Sequence, residues 1–199
     1  MQHNILEYWP ICLLLLLSGL FQILRPFIVG KVGEKKVAFV LKFLNKRDYK
    51  VIHNVKLYGN GYKTQIDHIV VSRFGVFVIE TKNYKGWILG GERSYCWTQV
   101  IYKKKTKFYN PILQNYGHIK VLKYHLSNYP DIRYISIVVF TGSSTLKVRT
   151  SSEVIKIFTL LRTIKRYNQV VLSELSTDEI FKTIKLKNRR KPKNWQTNP

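Results

Sequence analysis

The chain has 199 residues, 45% of them hydrophobic, and its 34 Lys and Arg against 11 Asp and Glu give a formal net charge of +23. This apolar fraction excludes an acidic or disordered tail protein, and the length excludes a multidomain assembly. The charge indicates a polyanionic partner, either nucleic acid or an anionic membrane surface, although a lysine-rich composition alone does not select a ligand. Two cysteines are too few for a disulfide framework and favour a reducing, intracellular compartment.

The first feature along the chain is an uncharged apolar run over residues 8–24. Its length is at the short end for a membrane-spanning helix, and residues 27–29 extend it if Arg25 snorkels. A signal peptide would have a basic start and a small-residue cleavage site, which are not seen, so residues 1–29 are interpreted as a retained anchor. The basic residues that follow predict that the rest of the chain faces the cytoplasm.

Past the anchor, the pattern predicts one mixed α/β domain without repeats. Helical spacing of apolar residues predicts a helix over 34–46, and β-branched and aromatic content predicts three antiparallel strands over 51–57, 64–72 and 76–82. Asn110 and Pro111 predict a helix start, with the helix ending near residue 125. A continuous apolar run over 134–140 predicts a strand buried on both faces.

The C-terminal part gives weaker signals. Residues 169–172 suggest a final strand, and the capping-box spacing of Ser176 and Glu179 predicts a helix over 177–186. Seven basic residues lie between 182 and 193 without an acid. Residues 182–199 are therefore interpreted as a disordered tail that seeks polyanions, with a merely solvated end as the alternative.

Two acids lie on neighbouring strands of the predicted hairpin. If Ser72 pairs with Gly75, the register places Asp67 opposite Glu80, with their Cβ atoms about 4.5–5.5 Å apart. Two carboxylates this close repel each other unless a cation or a proton lies between them. Mg²⁺ is the expected occupant, with Mn²⁺ as a substitute, because it binds one or two carboxylates together with water and phosphate oxygens. A slip of one residue would separate the two acids.

Lys82 follows Glu80 by two residues and projects from the same face of the strand. In phosphodiester hydrolysis a metal polarises the phosphate and lowers the pKa of a bound water, and an ammonium group orients that water or balances developing charge. Asp67, Glu80 and Lys82 together therefore predict such a site.

Other polar residues have two interpretations each. Glu34 lies on the core-facing stripe of the first helix, but spacing alone favours an acid that offsets the helix dipole. Gln114 and His118 are one turn apart and point inward, as site residues or as satisfied core groups. His68 points to the opposite face from Asp67 and is interpreted as structural. The histidines show no ligand spacing with cysteine, so no zinc site is expected.

Several of these residues recur as ordered motifs. They are Gly33-Glu34, residues 65–68, residues 75–83, Gly86, Trp97 and residues 110–115. In order and spacing, they resemble the nuclease-related domain, NERD, which is similar to the PD-(D/E)xK nucleases. The resemblance covers residues 31–145 as a nuclease core, with 146–181 as its C-terminal extension. It implies a mixed α/β, restriction-endonuclease-like central sheet flanked by helices, beside the one N-terminal transmembrane helix.

The resemblance also implies roles for individual residues. Asp67 and Glu80 would hold the metal, Lys82 would assist the attacking water, and Glu34 and Gln114 would complete the site. Ile66 stands before Asp67 where the wider superfamily has proline, which is usual within NERD.

Two hypotheses follow. The first is a membrane-anchored, Mg²⁺-dependent nuclease, acting on DNA rather than RNA, whose basic segment holds the phosphate backbone through Lys103, Lys104, Lys105 and Lys107. The second is a non-catalytic module that tethers nucleic acid to the membrane by charge. Because one site cuts one strand, duplex cleavage would need a homodimer or two encounters.

Overall fold

The computed structural model describes residues 8–59 and 61–188. The helices are α1 (Trp9–Leu41), α2 (Pro111–His125), α3 (Leu160–Arg166) and α4 (Glu174–Lys187), and a 3₁₀ turn (Ile157–Thr159) precedes α3. The strands are β1 (Tyr49–Gly59), β2 (Tyr62–Ser72), β3 (Gly75–Lys82), β4 (Gly86–Gly91), β5 (Cys96–Ile101), β6 (Lys104–Tyr109), β7 (Tyr134–Phe140), β8 (Ser144–Arg149) and β9 (Glu153–Lys156).

The central sheet has the strand order β1-β2-β3-β7-β9. Strands β1, β2 and β3 are antiparallel, whereas β7 pairs in parallel with both β3 and β9. One face packs against α2 and α4 through residues such as Val121 and Ile180, and the other face packs against α1 and α3 through residues such as Val37 and Leu160. The predicted mixed α/β sheet flanked by helices is confirmed, and the strand over 134–140 lies inside it as expected.

A second sheet, with the order β6-β5-β4-β8, was not predicted. It prolongs the central sheet, because β3 and β7 lead directly into β4 and β8. Lys82 pairs with Phe140 and Gly86 pairs with Ser144, so both parallel pairs keep the same register across the loops that join them. Trp97 fixes this sheet to the core, since its ring is fully buried and packs against Gly90.

The apolar run and the predicted helix over 34–46 form one continuous helix, α1, which ends at Leu41 rather than near residue 46. Pro26 lies inside this helix and does not end it. Helix α1 is long and apolar enough to cross a membrane. Its apolar part is exposed, as at Leu14 (67%) and Phe27 (71%), whereas Val37 and Leu41 are buried against the central sheet.

Three predictions for the C-terminal part need correction. Residues 169–172 form no strand, because the N–H groups of Val171 and Leu172 donate instead to the Arg73 carbonyl of the β2–β3 turn, at 2.8 and 3.0 Å. Helix α4 begins at Glu174 rather than residue 177, since Ser173 caps it by accepting from the Ser176 N–H. Residues 182–187, expected in a disordered tail, form its last turns. The rest of that tail, 189–199, lies outside the described residues.

Candidate active site

The hairpin of β2 and β3 has the predicted register. It pairs Ser72 with Gly75 and continues to the pair of His68 and Ile79. Asp67 and Glu80 are the next residues on the two strands, and Glu80 lies on the face covered by α2. Beyond the last pair the strands stay close, because the Thr81 N–H donates to Asp67 Oδ2 at 2.8 Å.

Glu80 is the centre of the polar cluster and is only 3% exposed. Lys82 Nζ lies 2.8 Å from Glu80 Oε1 and 2.9 Å from Gln114 Oε1. His118 Nε2 lies 3.1 Å from Glu80 Oε2. The structure therefore brings Gln114 to Lys82, and it adds His118 as a partner of Glu80, although the sequence left His118 between a site residue and a core group.

Helix α2 aims Gln114 and His118 at the hairpin because its start is fixed. Asn110 accepts from the Ile112 N–H at 2.9 Å, and Pro111 occupies the first turn, as predicted. The Asn110 amide also donates to the carbonyls of Glu92 and Ser94, at 2.9 and 2.7 Å, which ties α2 to the β4–β5 turn. One residue past Gln114, the Asn115 amide donates to the Val78 carbonyl of β3 at 2.7 Å.

The two carboxylates have opposite pKa shifts. Burial, followed by the charge of Glu80, raises the pKa of Asp67 to about 7, and the Thr81 N–H offsets only part of this. Burial alone would also raise the pKa of Glu80, but hydrogen bonds from His118 and Lys82 and the charge of Lys82 bring it below its ordinary value. The cluster thus holds one firmly ionised acid beside one that takes a proton near neutral pH.

Glu34 lies at the border of this cluster. Its carboxylate pairs with Lys31 of the same helix at 2.6 Å, but its charge is near enough to raise the pKa of Asp67 further. Helix α1 is fixed here because Gly33 packs against Asn83 and Thr141, where an added Cβ would lie within 3 Å of either side chain. The Asn83 amide also donates to the Val29 carbonyl at 2.7 Å.

A divalent cation such as Mg²⁺ needs oxygen ligands from this cluster. Among the described residues, no group of three or more His, Cys, Asp and Glu side chains is placed to hold a metal. The two carboxylates remain, and they fit Mg²⁺, which binds one or two carboxylates and keeps several waters. Burial is the main cause of the raised pKa of Asp67, so without a cation this position favours the neutral acid.

His68 lies away from the cluster, on the face covered by α1. It is 2% exposed, and its Nδ1 lies 2.8 Å from His53 Nδ1. Burial lowers the pKa of His68 to about 3, so it is neutral at physiological pH. This placement agrees with the structural interpretation of His68.

The four lysines assigned to phosphate binding lie on the β5–β6 hairpin and are all exposed. Lys103 is in the turn. Lys104 lies on the same side of β6 as the inward-facing Phe108, whereas Lys105 and Lys107 lie on the opposite, outward side. They form part of one exposed hairpin rather than of the carboxylate cluster.

Fold and site together define a mixed α/β protein with two carboxylates and a lysine at one end of its central sheet. The family model of the nuclease-related domain matches residues 29–141. A Bacillus anthracis protein described as uncharacterized is 39% identical over 189 residues, which cover 92% of this chain and 88% of that protein. The search of solved structures gave no match.

The chain therefore belongs to the nuclease-related domain, or NERD, family, as its motifs predicted. Membership indicates a nuclease-related function and a nucleic-acid partner.

Proposed function

We propose that this protein is a membrane-anchored, Mg²⁺-dependent nuclease that hydrolyses phosphodiester bonds, with DNA as its substrate. The observation that carries the proposal is the cluster of Asp67, Glu80 and Lys82 at the end of β2 and β3. Membership in a nuclease-related family supports the proposal, and the net charge of +23 suits a polyanionic substrate.

Asp67 and Glu80 would hold the cation. Bound Mg²⁺ would stabilise charge on the phosphate and lower the pKa of a bound water. Lys82, held by Glu80 and Gln114, places its ammonium group where it can orient the attacking water or stabilise the phosphate oxygens. His118 holds the other oxygen of Glu80 and so fixes the orientation of that carboxylate.

Helix α1 would anchor the enzyme, since its exposed apolar half has the length and composition of a membrane span. Basic residues on the C-terminal side of that half, such as Arg25 and Lys31, favour a cytoplasmic position for the domain. Extraction of membranes tests the anchor: the wild-type chain should remain in the membrane in alkaline carbonate and be solubilised only by detergent.

The activity test uses the full chain in detergent micelles, incubated with linear DNA, circular DNA or RNA in Mg²⁺, Mn²⁺ or a chelator. Asp67→Asn and Lys82→Met remove the two charges without large changes in size. Asp131→Asn and Lys165→Met are matched controls, because both residues are exposed and lie outside the cluster. We expect metal-dependent cleavage in the wild type and in both controls, and none in the two site variants.

Cleavage that persists in Asp67→Asn would contradict the proposal. Binding without cleavage in either metal would instead support a non-catalytic tether. Such a tether binds with no metal dependence, and its affinity falls steeply with salt because phosphate contacts release counterions.

A further inference from the structure

The second sheet, β6-β5-β4-β8, covers the core with one face and exposes the other. Side chains alternate along each strand, and Ile88, Trp97 and Phe108 point inward. The residues between them point outward. We call this exposed face the outer platform; its central residues are Trp87, Leu89, Val100, Lys105, Lys107 and Lys147.

Strand pairing arranges the outer platform in rows. In one row Trp87 pairs with Val100, which pairs with Lys105. In the next row Leu89 pairs with Lys147 on one side and with Thr98 on the other. Thr98 in turn pairs with Lys107. Four strands about 4.8 Å apart make each row roughly 14 Å wide. Apolar side chains therefore form the middle of the platform, and lysines form its two edges.

Trp87 is the main exposed apolar group of this face, since 51% of its surface is accessible. The ammonium of Lys147 lies 3.6 Å from the centroid of the Trp87 ring, which is a cation–π contact. Leu89, which is 38% exposed, lies beside Trp87, so the two side chains form an exposed apolar patch on this face.

Charge indicates what binds there. The strands β4, β5, β6 and β8 together contain five basic residues and no Asp or Glu. Exposed aromatic rings between cationic side chains are the arrangement that binds single-stranded nucleic acid, because bases stack on the rings and phosphates meet the cations. A duplex keeps its base faces inside its own stack, so Trp87 would gain little from it.

The platform is near the candidate site along the chain but on the other face of the sheet. Glu80 and Lys82 share the face of Val138 and Phe140, which packs with the inward side chains of the second sheet. Only residues 83–85 separate β3, which carries Glu80 and Lys82, from β4, which begins at Gly86. The chain from Lys82 to Trp87 spans at most about 18 Å. We propose that the outer platform is a binding site for an unpaired nucleic-acid strand, separate from the carboxylate cluster. This goes beyond the proposed nuclease function, and the binding step does not require catalysis.

The test measures binding of the full chain, in micelles and in a chelator, to a fluorescent single-stranded oligonucleotide and to the matched duplex. Trp87→Ala removes the stacking ring, Trp87→Phe keeps a smaller one, and Lys105→Gln with Lys107→Gln removes edge charges. Tyr116→Ala is the aromatic control, since Tyr116 is 68% exposed on α2, away from the platform. Thermal unfolding confirms that each variant folds.

We expect the wild type to prefer the single strand, Trp87→Ala to weaken that binding about tenfold or more, and Trp87→Phe to restore part of it. The double lysine variant should lower the salt dependence, and Tyr116→Ala should leave binding unchanged. Equal affinity for duplex and single strand, unaltered by Trp87→Ala, would overturn the platform. So would a Trp87→Ala variant that loses binding to anionic lipid vesicles while its oligonucleotide affinity is unchanged.

The two proposals fail in distinguishable ways. Single-strand binding that depends on Trp87, without cleavage in any metal, would support the platform proposal and contradict the nuclease proposal. Cleavage that is lost in Asp67→Asn, together with binding that Trp87→Ala does not change, would support the nuclease proposal and contradict the platform proposal.

Discussion

The ammonium group of Lys82 lies between two acceptors, 2.8 Å from Glu80 Oε1 and 2.9 Å from Gln114 Oε1. One acceptor belongs to the central sheet and the other to α2, so a single side chain both neutralises a buried acid and joins two elements.

Lys82→Met should therefore affect both activity and folding. The variant leaves Glu80 without its main cation. We expect cleavage to be lost, which is a fall of at least about a hundredfold, and the free energy of unfolding to fall by roughly 1–3 kcal/mol. Lys82→Arg keeps the charge and should recover stability more than activity. Cleavage rates and urea unfolding of the three proteins test this. Equal activity in Lys82→Met and the wild type would show that the ammonium takes no part in the reaction.

Asp67 should make the fold less stable at higher pH. Its pKa is about 7 in the folded chain against 3.8 as its ordinary value, so the folded state binds more protons than the unfolded state between those two limits. The contribution of Asp67 to the free energy of unfolding is therefore greatest below about pH 4. It decreases as the pH rises to 7, by at most about 1.4 kcal/mol per pH unit.

Asp67→Asn removes this titration. In a chelator, the variant should gain stability relative to the wild type between pH 5 and pH 8, and Asp131→Asn should not. Thermal unfolding in detergent at the two pH values provides the measurement. Parallel pH profiles for the wild type and Asp67→Asn would contradict the raised pKa.

Metal binding should depend on the same proton. A cation at Asp67 and Glu80 competes with the proton on Asp67, so Mn²⁺ affinity should fall as the pH drops below 7, by up to about tenfold per pH unit. Titration calorimetry at pH 6, 7 and 8 measures this, with Asp67→Asn as the variant that should bind weakly at all three. A constant affinity across this range would place the metal elsewhere.

Alanine substitutions at two glycines should change the free energy of unfolding in opposite directions. Gly86, at the start of β4, has φ +75, and a Cβ there would lie 2.2 Å from the Val100 carbonyl oxygen. Gly86→Ala should cost about 1–3 kcal/mol of unfolding free energy. Gly117 lies in α2 with nothing within 4 Å of an added Cβ, so Gly117→Ala should stabilise by up to about 1 kcal/mol. Urea unfolding distinguishes them, and a neutral Gly86→Ala would show that the β4–β5 pairing can shift at little cost.

The elements near the candidate site were predictable because their signals are local. A tight turn between two alternating strands fixes the register from Ser72 onward, and that register alone brings Asp67 toward Glu80. Likewise, Asn110 and Pro111 mark the start of α2 within two residues. The contact between His118 and Glu80 was not predictable, since it depends on how α2 rotates over the sheet.

The second sheet was missed because its pairing is not local. Strand β4 pairs with β8, which begins more than 50 residues later, and β6 is rich in lysine, which strands usually lack. Glu34 shows another limit, because its nearness to Asp67 arises from the packing of Gly33 on Asn83 and not from helical spacing. The length of α1 was underestimated, since Pro26 lies within the helix without ending it.

The unbroken helix α1 also sets a distance. A helix rises 1.5 Å per residue, so the seven residue steps from Phe27 to Glu34 measure about 10 Å along its axis. With the apolar half as far as Phe27 in a bilayer, Glu34 would be held at most about 10 Å beyond the hydrocarbon core, close to the lipid head groups, without a flexible linker to vary that distance. Nucleic acid would then have to approach the cluster along the membrane surface.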